Sequence, residues 1–97
     1  MLDKLTREDW SAYLNRTFHS EPVAGQSLSF ELLEVSGLGH KPGDRREPYS
    51  LIFRGPAEPV LEQGIVELRQ DKLGVLALFL VPIGPDRQGM CYEAVFT

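Results

Sequence analysis

Apolar residues along this chain change their spacing once. Trp10, Tyr13 and Leu14 stand at i, i+3 and i+4, which is one face of a helix. Thr6 precedes them as an N-cap, and Asp9, three residues on, completes an approximate capping box. Leu5 and Trp10 then take the two positions of a hydrophobic staple. The pattern predicts a helix over about 7–15, ending before Glu21-Pro22. One short amphipathic helix is not stable alone and needs a surface to pack on.

From Phe18 onward the period becomes two. Leu28, Phe30 and Leu32 alternate with Ser29 and Glu31, and Leu33 breaks the alternation, which predicts a bulge or a doubly buried strand end. Tyr49, Leu51 and Phe53 form a second alternating set, stopped by Gly55-Pro56. Ile65–Arg69 is a shorter strand. The run Val75–Val81 is apolar throughout and reads as a central strand covered on both sides. A loop is expected over Pro82–Gly89, then a last strand over Met90–Phe96. Phe18-His19-Ser20 is a short additional strand. The segments between strands hold no helical period, so antiparallel pairing is expected. The predicted fold is mainly β: a short N-terminal helix followed by an antiparallel five- to six-stranded meander, forming a small barrel or folded-over sheet. The chain, 1–97, reads as a single domain, with the helix at about 7–15 and the sheet at about 18–97.

Charge and composition narrow the function. The 97 residues carry 10 basic and 14 acidic side chains, a net charge of −4, which argues against sequence-independent nucleic-acid binding. No run of 18 apolar residues occurs, so no membrane span is expected. Met1-Leu2-Asp3-Lys4 lacks the form of a signal peptide, which places the expected location in the cytoplasm.

Candidate chemistry is sparse. Cys91, the single cysteine, sits mid-strand with neither His19 nor His40 beside it in sequence, and reads as a core residue rather than a nucleophile. Histidine and cysteine spacings fit no metal motif, and no cofactor fingerprint is present. No catalytic residue, metal ligand or cofactor is therefore assigned. Glu31, Glu34, Glu62 and Glu67 supply carboxylates with no pairing legible in the sequence. The loop Gly37–Pro48 holds His40, Lys41, Arg45 and Arg46, a locally basic stretch suited to an anion or an acidic partner. Arg54 and Glu93 are charges on apolar strands, and a bridge between them is expected to hold sheet register.

Four words appear in a fixed order: Phe53-Arg54-Gly55-Pro56, Leu61-Glu62-Gln63-Gly64, Phe79-Leu80-Val81-Pro82-Ile83-Gly84-Pro85 and Tyr92-Glu93-Ala94-Val95-Phe96. Together with the Leu5-Thr6 start they resemble a family of small bacterial proteins known only as a domain of unknown function. The resemblance implies a cytoplasmic bacterial protein with no assigned activity, whose relatives lie near genes for phage-tail-collar-like fibre proteins.

These features predict a non-enzymatic protein-binding module of assembly or adaptor type, tied to a phage-tail-like fibre system. A protein partner is expected, without nucleic acid or membrane, and a homo-oligomer is compatible with the pattern. Binding is expected at a sheet edge, for which the final strand is the candidate, or at the basic loop over 38–48. The alternatives are a small-ligand-binding barrel with Tyr49, Phe53, Phe79 and Tyr92 at its mouth, and a small enzyme working with Glu and Arg side chains.

Overall fold

A computed structural model describes residues 5–20, 27–39 and 48–96. They form one helix, α1 (Arg7–Ser11), and six strands: β1 (Thr17–Ser20), β2 (Ser29–Gly37), β3 (Tyr49–Gly55), β4 (Gly64–Gln70), β5 (Gly74–Pro85) and β6 (Met90–Phe96). The strands close into an antiparallel barrel in the order β1-β2-β3-β6-β5-β4. The path is two three-stranded meanders rather than one. β3 and β4 lie across the ring from each other, so residues 56–63 cross between them, and the Leu61 N–H donates to the Tyr92 hydroxyl at 2.8 Å on the way.

The start of the chain follows its caps. The Asp9 N–H donates to Thr6 Oγ1 at 3.2 Å and the Thr6 N–H to Asp9 Oδ2 at 2.9 Å, a complete capping box. The helix is shorter than its apolar spacing predicts. After Ser11 its hydrogen bonds tighten to i→i+3, from Tyr13 to Trp10 and from Leu14 to Ser11. Asn15 then turns left-handed at φ 67°, a conformation asparagine tolerates better than most residues. Its N–H reaches the Leu32 carbonyl at 2.7 Å, and Leu32 N–H returns to Arg16, which ties the end of the helix to β2.

Trp10 is fully buried and fills the barrel's interior beside Phe18, Tyr49 and Phe96. Its indole N–H donates to the Tyr49 hydroxyl at 2.9 Å, and that hydroxyl donates to the Leu5 carbonyl at 3.0 Å. Phe18, Leu28, Phe30, Leu32, Leu51, Phe53, Leu68, Leu76, Leu78, Leu80, Tyr92 and Ala94 complete the buried core. Burying each large apolar side chain contributes about 1.5–3 kcal/mol, and these inward rows hold the closed shape.

The bulge expected near Leu33 is present, since the β2–β3 register passes from Leu32↔Phe53 to Glu34↔Ile52. Two expectations are corrected. β5 is not covered on both sides: Leu76, Leu78 and Leu80 point inward while Val75 and Phe79 are about half exposed. An apolar run reads the same whether its second face is buried or open. β6 is not an edge strand, because β3 flanks it along its whole length and β5 along Met90–Glu93.

Candidate functional site

The polar chemistry of the described residues converges on Arg54, near the exit of β3. Its Nε donates to Asp86 Oδ2 at 2.7 Å, and Nη1 lies 3.5 Å from Glu31 Oε1. Asp86 opens the turn between β5 and β6. Its Oδ1 accepts from the N–H groups of Gln88 at 2.8 Å and Gly89 at 2.9 Å, while its own N–H donates to the Gly89 carbonyl. The same Oδ2 that meets Arg54 accepts a long contact from Cys91 Sγ at 3.6 Å. Donation from the Gln88 amide first, and from Arg54 next, holds the Asp86 carboxyl down at about 2. The hydrogen bond to Asp86 raises Arg54 in turn. Burial, with the Asp86 charge adding to it, pushes the Cys91 thiol up, so the thiolate a nucleophile needs is disfavoured.

This cluster takes the place of the expected bridge. The register sets Arg54 opposite Cys91 and Glu31, whereas Glu93 stands opposite Ile52 and Val81. Arg54 therefore meets Glu31 across β2 and a turn residue, Asp86, that strand pattern alone does not bring near it. The arrangement ties β2, β3 and the β5–β6 turn together.

A depressed carboxyl carries a pH signature. The Asp86 contribution is fully present above its ordinary value near 3.8 and is lost as pH falls through about 2. Asp86→Asn is expected to lower the thermal midpoint at pH 6, and the gap to the unchanged protein should narrow between pH 4 and pH 2. A gap constant across that window would show that the Asp86 charge contributes nothing.

Beside the cluster lies an open groove of about 670 Å³, lined by Thr17, by residues 27–31, by residues 54–56 and by Glu58. It sits where β2 and β3 part company beyond the Glu31↔Arg54 pair. Tyr49, Phe53 and Tyr92 are buried against other core rings, and Phe79 points outward, so the aromatics expected at a mouth do not line this groove. His40, Lys41, Arg45 and Arg46 lie outside the described residues. Among the described residues no group of three or more His, Cys, Asp or Glu side chains is placed to hold a metal ion, and no helix is long and apolar enough to cross a membrane.

The outer wall carries a second feature. Ile65 on β4 stands directly opposite Phe79 on β5, and the two are 73% and 53% exposed. Val75, on the same side of β5 but two rows further along, is also half exposed, and the rows Glu67↔Ala77 and Arg69↔Val75 continue this face to one side of the pair. Sequence reading missed this face because it assigned the whole Val75–Val81 run to the core. The two-residue alternation around the Ile65 strand was the signal that could have exposed it.

The family model described as Domain of unknown function (DUF6916) matches residues 5–96. No curated protein and no solved structure matches the chain.

Proposed function

Because the chain belongs to that domain family of unknown function, we propose from its own surfaces that it is a non-enzymatic protein-binding module of assembly or adaptor type. The observation that carries the reading is the outward pair Ile65–Phe79 on neighbouring strands. Adjacent large apolar side chains that stay this exposed on a regular sheet mark an interaction surface more often than scattered single ones do. Glu67 and Arg69 supply the polar border that such a surface keeps in water. The basic side chains His40, Lys41, Arg45 and Arg46 belong to the same reading as the element that orients an acidic partner. The phage-tail-like fibre setting implied by the sequence resemblance is an assembly context that such a module suits. The groove beside Arg54 favours a second reading, the binding of a small or extended ligand.

Changing Ile65 and Phe79 together to glutamate tests the first reading. Both side chains face solvent, so the thermal midpoint should hold nearly steady. The affinity for a partner purified with the protein from its native cell should fall at least tenfold. An unchanged affinity, or turnover of a small molecule by the purified protein alone, would overturn the reading.

A further inference from the structure

Among the described residues, the β2–β3 pairing ends before it reaches the start of β2. Hydrogen bonds from Ser20 N–H to the Leu28 carbonyl and from Leu32 N–H to the Arg16 carbonyl fix which β2 residues face β1. They are the even-numbered ones, since antiparallel pairs alternate between bonded and non-bonded. The odd-numbered residues, Ser29 and Glu31, therefore turn their backbone N–H and C=O toward β3. Glu31 finds Arg54 there. Two residues earlier the same register would set Ser29 against Pro56, which has no N–H to give. The β2–β3 ladder stops at Glu31↔Arg54, and the groove of about 670 Å³ occupies the gap.

We infer that the split between β2 and β3 is a strand-addition site that takes a short extended peptide carrying a basic side chain. The inference rests on the protein-binding reading and gives it a second surface, distinct from the Ile65–Phe79 face. An unpaired stretch of strand backbone is a template for another strand, and main-chain hydrogen bonds supply the recognition. Charge selects the side chain. Glu31 and Glu58 line the groove, and among the described residues its one lining cation, Arg54, is already engaged by Asp86 and Glu31. The surface left over is acidic, so a lysine or arginine on the incoming strand is favoured and a carboxylate is not. Ser29, Glu58 and the Thr17 side of the groove are open to solvent, which gives the peptide a way in.

The test titrates the full-length protein with the peptide Ac-Val-Lys-Val-Lys-Val-amide and follows backbone amide resonances. The peptide should shift Ser29, Glu31 and Gly55 in a saturable way at roughly millimolar concentration. The glutamate counterpart, Ac-Val-Glu-Val-Glu-Val-amide, should not. N-methylating alternate peptide nitrogens removes the donors on one edge of the strand. In at least one of the two alternating patterns this should weaken binding about tenfold. Glu58→Lys, an exposed change, should weaken the lysine peptide without altering the other resonances. Binding that survives both methylation patterns overturns strand addition, because side chains alone would then hold the peptide. Shifts on β4 and β5 instead would move the peptide to the outer face, so the groove inference would fall while the protein-binding reading stands. Absence of any shift up to about 5 mM also overturns the groove site, and the Ile65/Phe79 double variant then decides the broader reading alone.

Discussion

Replacing Trp10 with alanine is expected to destabilise the domain by about 3–5 kcal/mol. The ring is fully buried and touches Phe18 and Phe96 at centroid distances of 6.1 Å each. Its removal empties the position that binds the helix to the barrel. It also removes the indole N–H that donates to the Tyr49 hydroxyl. A domain of this size holds about 5–15 kcal/mol in total, so the variant should be partly unfolded at physiological temperature. Urea unfolding measures the loss, and emission of the single tryptophan in the unchanged protein reports its burial. A loss under about 1 kcal/mol, or emission typical of indole in water, would show that the helix does not close the barrel.

Gly89→Ala is expected to be nearly as damaging through crowding instead of loss. A Cβ at Gly89 would collide with the Gly55 carbonyl oxygen and stand 3.2 Å from Arg54 Cγ. The first of these is backbone on a paired strand and cannot swing aside. Overpacking of this kind costs roughly 1–3 kcal/mol and sometimes more, and here it should reach the upper end. It also displaces the turn whose amides hold Asp86. Gly64→Ala is the control, because a Cβ there meets nothing within 4 Å. Its urea midpoint should match the unchanged protein. Equal midpoints for the two variants would mean that the β3 exit and the β5–β6 turn are not packed as described.

Much of this was legible in the sequence because the signals were local. Thr6 and Asp9 announce the helix start, and the extra residue at Leu33 announces the bulge, each within a few positions. The alternation around Phe30, Phe53 and Tyr92 marks residues that do face inward. What stayed hidden depends on partners distant in sequence. Nothing near Arg54 points to Asp86, 32 residues on, because the bond depends on a turn folding back over the β3 exit. The crossing from β3 to β4 likewise follows from barrel closure, which periodicity does not encode. Pro56 was visible as a strand stop, but its consequence for Ser29 needs the β2–β3 register. The outward side of Val75 and Phe79 was lost because an apolar residue reads as core whether it faces the interior or a partner.

The protein-binding account is tested most directly by a photo-cross-linking amino acid placed at Phe79 in the native cell, with the same residue at exposed Lys72 as the control. The account predicts a discrete protein adduct from position 79 and none from position 72. Equal labelling at both positions, or no adduct at 79 from a folded protein, would contradict it.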